Sequence, residues 1–382
     1  MQTLKVSKPT WIRTILTVVL MESFLGGGGR IFDFGFLSLR MYLFIISLVV
    51  ALVLILFSRR KVDISILTLL AVLTFMIVVS SIIGFINQAK TAMILNDIKP
   101  LISIYIILFF FVAIRTTEDV LFVRKLIMLA SLILAFSYLS IFYLLNTSRI
   151  NFISFYSAVS STEEFFFRGN FAFFYKGFIY LCVGVIFLIG QSNSKIIVMI
   201  LLLSILLTFT RGFILSVASV YIIYLIFIKR KAIRFLMTVM IFGLAAWLGW
   251  GFVNNAKKID RNRSDDERIQ QITEVRNHAT GFSVFLGNGF GVGIPSRPER
   301  MEITYLEIFH KQGIFGILCW AMVLYVCYTL FRKGDSQLLT SFFLSVVFVF
   351  IQSFTNPFLN NPIGIYLISI SVVCMSVLVK NR

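Results

Sequence analysis

Long apolar runs recur from one end of this chain to the other, and they constrain its fold more than any other feature. The run from Ile64 to Ile86 contains no charged residue, and a helix needs about 20 such residues to cross a bilayer. Hydrophobic residues make up 59% of the 382 residues and charged residues 14%, which leaves more apolar surface than a soluble domain can hide. Transmembrane barrels are excluded because their strands alternate polar and apolar residues. The sequence therefore predicts an all-α polytopic integral membrane protein, with residues 1–382 as a single transmembrane domain.

The apolar runs predict about twelve transmembrane helices. They lie near residues 11–25, 38–57, 64–86, 98–114, 120–145, 172–190, 196–210, 212–228, 235–253, 303–331, 338–353 and 362–379. The first is interpreted as a retained span, since "GGGGR" follows it where a signal peptide would have a small-residue cleavage site. The longest polar stretch, 254–301, is predicted to be a large extracytoplasmic loop with short helices, inserted between the ninth and tenth spans.

The net charge of +18 follows a topological pattern. Basic residues are concentrated in the connections Ser58–Asp63, Arg115–Lys125, Lys229–Arg234 and Arg332–Lys333. All four fall on one side if the N-terminus is cytoplasmic, as the positive-inside rule requires. The charge therefore has a membrane explanation, and no nucleic-acid partner is expected.

Arg211 is the only formal charge in the apolar stretch 201–227, and a guanidinium cannot shed its charge. Residues 196–228 are too long for one ordinary span and short for two. A single crossing would place the basic connection Lys229–Arg234 on the wrong side. We therefore expect a tight hairpin with Arg211 at its outer turn, where Gly212 eases the bend.

Two long connections lie on the outer side, Asn146–Asn170 and Asn254–Met301. Both carry arginines, including Arg168 in the first and Arg268, Arg276, Arg297 and Arg300 in the second. They fit either a solvated mixed-charge surface or a surface for an anionic ligand such as a lipid-linked phosphate.

The second of these loops, 254–301, contains two local patterns. "SDDE" at 264–267 has the pattern of a capping box and predicts a helix that starts there and closes at Gly281. "GNGFGVGIP" at 287–295 fits either a flexible turn or a backbone cradle in which Gly289 and Gly291 let a pyrophosphate approach.

The tenth span begins with further candidate residues. Glu302 and Tyr305 share a helix face, and the Glu302 carboxylate suits a general base or an anchor for substrate hydroxyls. His278 is the other candidate base, although an ordinary surface histidine explains it as well. Glu307 and Lys311 are four residues apart and are expected to pair structurally.

In this region the chain resembles the bacterial O-antigen polymerase and O-antigen ligase superfamily, often called Wzy-like. The likeness rests on "TRG" around Arg211, on a large outer loop ending in "FLGNGFGVG", and on a helix of the form E-x-x-YL-x-x-x-x-K-x-G-x-x-G that begins at Glu302. These motifs cover roughly 195–320, and their order and spacing carry the resemblance. Arg276 and Gly287 also fit an Arg-x10-Gly pattern described for the polymerases.

The resemblance implies a metal-independent, GT-C-like glycosyltransferase that needs no cofactor. Sugar units linked to polyprenyl pyrophosphate are the donor and acceptor, and the enzyme acts at the outer, periplasmic face of the bacterial inner membrane. Arg211, Arg276 and Arg268 are expected to bind the pyrophosphate, and Glu302 to activate or orient the acceptor hydroxyl. Tyr305, Lys311 and the remaining loop arginines are further candidates for substrate contact. A chain-length regulator protein is a candidate partner.

Three functions remain open on these grounds. Ligases typically carry a His-Asn-x-x-Leu motif where this chain has Glu302-Ile-Thr-Tyr-Leu, which favours a polysaccharide polymerase over an O-antigen ligase. A transporter or flippase of lipid-linked sugars would place charges near the bilayer midplane. Because the charges here concentrate at one outer face, transport is the least favoured function.

Overall fold

The computed structural model describes residues 10–31, 33–35, 37–58, 62–168, 172–191, 194–229 and 259–381. The span predicted at 235–253 lies outside these ranges. The described helices are α1 Thr10–Leu25, α2 Leu39–Ser58, α3 Ile64–Ile86, α4 Thr91–Ile102, α5 Ile106–Ala113, α6 Thr117–Asn146, α7 Phe152–Val159, α8 Ile179–Leu188, α9 Lys195–Leu207, α10 Arg211–Ile223, α11 Ile259–His278, α12 Gly281–Leu286, α13 Thr304–Arg332, α14 Gln337–Gln352 and α15 Pro362–Lys380. The strands are β1 Phe165–Arg168 and β2 Ala172–Tyr175.

The hydropathy pattern and the helices agree closely. Within the described residues, seven helical segments are long and apolar enough to cross a membrane, namely Leu39–Phe57, Ile64–Ile86, Thr91–Ala113, Thr117–Asn146, Arg211–Ile228, Thr304–Arg332 and Pro362–Lys380. Three shorter apolar helices and α1 coincide with four further predicted spans. The polytopic helical architecture is confirmed, whereas the number twelve stays a prediction.

The span predicted at 172–190 begins differently from the expectation. Residues 172–175 form β2, which pairs antiparallel with β1, and the α-helix begins only at Ile179. Both strands are aromatic-rich, and aromatic side chains favour cross-strand pairing. The rings of Phe165 and Tyr175, partners in the ladder, lie 4.9 Å apart and stack.

The helix in the large loop also has different ends from those predicted. α11 already runs from Ile259, so Ser264 lies inside the helix and does not cap it. Gly281 does not close α11 but opens α12, which Thr280 caps through a capping box with Ser283. The Ser-x-x-Glu spacing fits a solvated helix interior as well as a helix start, and this is why the pattern misplaced the boundary.

One end of the helix bundle, which we name the basic end, gathers connections predicted to be cytoplasmic. Lys380 at the end of α15 pairs with Asp63 before α3 at 2.8 Å. Asn381 donates to the main-chain oxygen of Arg115 before α6, and Gln337 at the start of α14 donates to that of Ile189 after α8. The structure therefore brings together Asp63 and Arg115, which belong to two of the connections that the positive-inside rule grouped, at the C-terminal end of α15.

The hairpin predicted around Arg211 is confirmed. α9 ends at Leu207 and α10 begins at Arg211, with a turn in which Phe209 adopts a positive φ of 52°. At the far end of α10, the Tyr224 hydroxyl approaches Gly190 so closely that a side chain on this glycine would contact it. Since Gly190 follows α8 at the basic end, Arg211 lies at the opposite end, which we name the loop end.

Packing around α15 holds these helices together. In its most apolar window 78% of the residues are buried, against 17% for α2. α15 packs against α14, α5 and α13, and its core residues include Tyr366 and Cys374. Because α15 is buried on all sides, it is the central helix of the bundle. The helices that pack against it are thereby fixed relative to one another, and so are the connections between them at the loop end.

Candidate active site

A break in α13 organises the loop end. Gly313 interrupts the helix with φ 65° and ψ −161°, a conformation that favours glycine. Such a break frees main-chain carbonyls, which must find other donors when they are buried. The amide of Asn288 donates to the oxygen of His310, and the amide of Gly289 donates to that of Lys311, both at 2.9 Å. The "GNGFG" loop and the "K-x-G" segment of the two motifs are thus bonded to each other.

The same loop is closed against α3. Phe290 donates its amide to the oxygen of Ser80 at 2.9 Å, and a side chain on Gly289, whose φ is +84°, would overlap the backbone of Gly84. The amide of Gly291 donates to Asp97 Oδ2 at 2.8 Å. The amides of Gly289 and Gly291 are therefore occupied by protein acceptors, and their glycines serve close packing where the sequence suggested a pyrophosphate cradle.

Glu302 lies just before α13 in a cluster with two predicted site arginines. Its Oε1 accepts from Arg297 Nη2 at 3.0 Å, and its Oε2 lies 3.5 Å from Arg268 Nε. Arg297 also donates to Glu267 of α11 at 2.9 Å. About a third of the Glu302 side chain is exposed. The cluster holds two guanidinium groups at the surface, where they can reach an anionic ligand.

Lys311 lies deeper, in a buried charge cluster. Its ammonium donates to Asp97 Oδ1 at 2.7 Å, to Glu307 Oε1 at 2.9 Å and to the main-chain oxygen of Glu299 at 2.7 Å. An ammonium has three hydrogens, and all of them are used here. The predicted pairing with Glu307 is confirmed, and the substrate contact expected of Lys311 stays a prediction.

Tyr305 also has a structural environment. Its hydroxyl donates to the main-chain oxygen of Phe350 at 2.8 Å, and its ring packs on Phe354 with 4.4 Å between centroids. It ties α13 to the end of α14. The shared helix face predicted for Glu302 and Tyr305 is not formed, because Glu302 precedes the helix.

Arg211 is exposed at the first residue of α10. A side chain on the next residue, Gly212, would meet Thr355 Oγ1 at 2.6 Å and Gln352 Nε2 at 3.0 Å. The turn therefore lies directly against the connection 353–361 between α14 and α15. Asn356 of this connection accepts a hydrogen bond from Thr304 at the start of α13. Through it, Arg211 shares the loop end with Glu302.

Arg276 and His278 are exposed in the last turn of α11. His278 Nδ1 donates to the main-chain oxygen of Glu274 at 2.7 Å, so Nε2 is the nitrogen that can accept a proton. The His278 ring stands edge-on to the buried ring of His310, 6.2 Å away between centroids. The two histidines of the chain are thus neighbours, a relationship that sequence spacing does not show.

Two further predicted residues lie at the edges of this region. Arg300 is exposed and donates to the main-chain oxygen of Asn96 on α4 at 3.1 Å. Arg168 ends β1, and its side chain lies outside the described part of the chain. Asp97 was missed by the sequence reasoning. The signal available for it was a carboxylate at the start of an apolar run, a position where charge is costly without a partner.

Fold and site together define a polytopic helical membrane protein whose loop end carries arginines, carboxylates and a broken helix. No family model matches the chain. The chain is 29% identical over 374 residues to an O-antigen polymerase of Shigella flexneri, and the match covers 94% of this chain and 94% of that protein. This similarity confirms the resemblance to the O-antigen polymerase and ligase superfamily and extends it from 195–320 to nearly the whole chain.

Proposed function

We propose that this protein is a polysaccharide polymerase of the bacterial inner membrane. It transfers a growing glycan from polyprenyl pyrophosphate to the next lipid-linked repeat unit at the periplasmic face. The observation that carries the proposal is the similarity to the Shigella flexneri O-antigen polymerase over nearly the full length of both proteins. The concentration of arginines at the loop end supports a polyanionic lipid-linked donor.

Arg211, Arg276 and Arg268 bind the pyrophosphate in this proposal. Guanidinium groups match phosphate oxygens in bidentate geometry and keep their charge at any physiological pH. Negative charge builds up on the pyrophosphate as the bond to the anomeric carbon breaks, and fixed cations stabilise that charge most. Because arginines supply this positive charge, the proposed mechanism requires no metal, and the resemblance to the superfamily implies a GT-C-like enzyme.

The carboxylate of Glu302 holds Arg268 and Arg297 in place and orients the acceptor sugar through a hydroxyl beside the attacking one. The paired arginines lie on both sides of it, so the acceptor sugar and the pyrophosphate can be bound next to each other. Arg297, Arg300 and Arg168 extend the basic surface toward the rest of the glycan. The acceptor oxygen then attacks the anomeric carbon, and polyprenyl pyrophosphate leaves.

Glycan analysis of a strain lacking this protein tests the proposal. A polymerase defect leaves single repeat units attached to the usual acceptor, and this is the expected result. Full-length chains stranded on the carrier lipid would instead identify an O-antigen ligase, and repeat units trapped in the cytoplasm would identify a flippase. Restoration by the wild-type chain links the defect to this protein. Co-purification from the same cells tests for a chain-length regulator as partner.

A further inference from the structure

The buried cluster around Lys311 borders a small cavity that the proposed function has not used. The cavity has a volume of about 10 Å³, room for about one water molecule or one hydroxyl group. Its polar lining consists of Asp97, Arg300, Glu307, Lys311, Gln312 and Asn360. The cavity lies where α4, the "GNGFG" loop, α13 and the connection 353–361 meet.

The buried charges of this cluster do not balance. Lys311, Glu307 and Asp97 have side chains that are 3%, 4% and 6% exposed, so one ammonium faces two carboxylates. Buried charges are tolerated only when hydrogen bonds satisfy them, so the partners of each carboxylate oxygen decide what the cluster can do.

The hydrogen bonds show which of the two carboxylates is available. Both oxygens of Asp97 are engaged, one by Lys311 and the other by the Gly291 amide. Glu307 Oε1 is held by Lys311, whereas within the described residues Oε2 accepts only a long hydrogen bond of 3.5 Å from Asn360 Nδ2. Asp97 thus holds the "GNGFG" loop and Lys311 in place, whereas Glu307 presents its Oε2 atom beside the cavity.

The other polar groups of the cavity favour a ligand that donates hydrogen bonds. Gln312 is 1% exposed, and its Oε1 has no hydrogen-bond partner among the described residues. The buried Oδ1 of Asn360 likewise lacks a partner within the described part of the chain. Buried acceptors without donors are unfavourable by about 1–3 kcal/mol each. A sugar hydroxyl, which both donates and accepts, has the size and chemistry that this lining requires.

Glu307 differs from Glu302 in this respect. Both oxygens of Glu302 face guanidinium groups at a partly exposed surface, so both already have cationic partners. Glu307 is buried, is fixed by one lysine, and keeps one oxygen for another partner. Asn360, its neighbour, belongs to the connection that also packs against the Arg211 turn. The cavity is therefore linked to the proposed pyrophosphate site through residues 353–361.

Building on the proposed polymerase function, we propose that Glu307 is the general base of the transfer and that the cavity binds the acceptor hydroxyl. The hydroxyl proton passes to Glu307 Oε2 while the hydroxyl oxygen forms its bond to the anomeric carbon. The bond between that carbon and the phosphate oxygen breaks, and its electron pair leaves with polyprenyl pyrophosphate. Glu307 afterwards returns the proton to water at the cavity mouth beside Arg300.

The test uses the full-length protein in lipid nanodiscs with a synthetic polyprenyl-pyrophosphate-linked repeat unit, and it measures the rate of polymer formation. We expect Glu307→Gln to lower the turnover number at least about 100-fold, within the range for removal of a general base, with little change in KM. Because glutamine keeps the bond to Lys311 and removes the excess charge, the melting temperature should not fall. Glu299→Gln is the matched variant, since only the main-chain oxygen of Glu299 contacts Lys311, and it should keep wild-type turnover.

The outcomes separate this inference from the proposed function. If the wild-type protein forms no polymer from this substrate, the polymerase proposal fails. If the wild-type protein polymerises and Glu307→Gln does so at the same rate, the general-base role alone is overturned. Should Glu307→Gln fail to fold, Glu307→Asp keeps the carboxylate but withdraws it by one methylene. A reduced but measurable rate then supports proton transfer at this position, and a wild-type rate rejects it.

Discussion

The Glu302 carboxylate and the Arg297 guanidinium lie 3.0 Å apart within the loop that precedes α13. Arg297 also reaches Glu267 on α11, so this pair connects the two segments that carry most of the predicted loop-end residues. The amide of Glu302 donates to Gln271 Oε1 on α11 at 3.2 Å. Glu302 thus determines where the proposed substrate-binding arginines stand.

We predict that Glu302→Gln lowers turnover about 10-fold or more, with a smaller effect on donor binding. Glutamine can accept from one guanidinium but offers no charge to the second, so Arg268 and Arg297 lose their common partner. Initial rates of chain extension at varied donor concentration separate the turnover number from KM. Unchanged turnover would remove Glu302 from the acceptor site.

Arg211→Ala and Arg276→Ala are each expected to abolish chain extension at unchanged protein level. Both side chains are exposed at the loop end, so their removal leaves the core packing intact while the pyrophosphate loses a cation. Arg149→Ala serves for comparison, because Arg149 is an exposed arginine in the other outer connection, over the Tyr143 ring. Glycan length in complemented deletion strains is the readout. Normal length in the Arg211 and Arg276 variants would contradict the pyrophosphate role.

Hydropathy and charge placement predicted the helices and the grouping of their ends, because both depend on properties of contiguous residues. The Arg211 hairpin followed from the requirement that the basic connection Lys229–Arg234 lie on the same side as the other basic connections. The Glu307–Lys311 pair followed from a spacing of four residues on one helix. These predictions succeeded because each one depends only on neighbouring residues or on the positive-inside rule, which applies to every connection between spans.

The remaining features depend on contacts between distant segments. Asp97 meets Lys311 across 214 residues of sequence, and no spacing rule connects them. The break at Gly313 is stable because Asn288 and Gly289 supply the missing donors, and the glycine pattern alone did not show which acceptors these amides would find. The β1–β2 hairpin was missed because an aromatic run is compatible with a buried helix or a strand.

We predict that Gly289→Ala destabilises the protein by about 1–3 kcal/mol or more. The substitution forces an alanine into φ +84° and drives its side chain into the backbone of Gly84, which separates the loop from α3. Gly281→Ala is the matched change in the same loop, since a side chain there meets nothing within 4 Å. Thermal unfolding in detergent should show a lower melting temperature for the first variant only. Equal melting temperatures would mean that the loop is not closed against α3.

Lys311→Met is expected to destabilise the protein by about 3–5 kcal/mol, because it leaves Glu307 and Asp97 buried without their cation. Adding Glu307→Gln to this variant removes one of the two unpaired charges and should restore part of the protein level. Quantitative immunoblots of the membrane fraction provide the measurement. A Lys311→Met protein with wild-type level and lost activity would instead support direct substrate binding by the lysine.

The contact between Glu274 and Ser296 should give the large loop a dependence on acidic pH. Hydrogen bonds from the Ser296 amide at 3.0 Å and hydroxyl at 2.7 Å hold the pKa of the Glu274 carboxyl below its ordinary value. A lowered pKa means that the stabilising contact is fully present above the ordinary glutamate pKa of about 4.3 and is lost as the pH falls through the lowered value. Hydrogen exchange at Ser296, corrected for intrinsic rates, should therefore accelerate in the wild-type protein as the pH falls through the lowered pKa of Glu274. In Glu274→Gln the exchange should be faster at neutral pH and should lack this transition, whereas a transition that persists in the variant would assign it to another carboxylate.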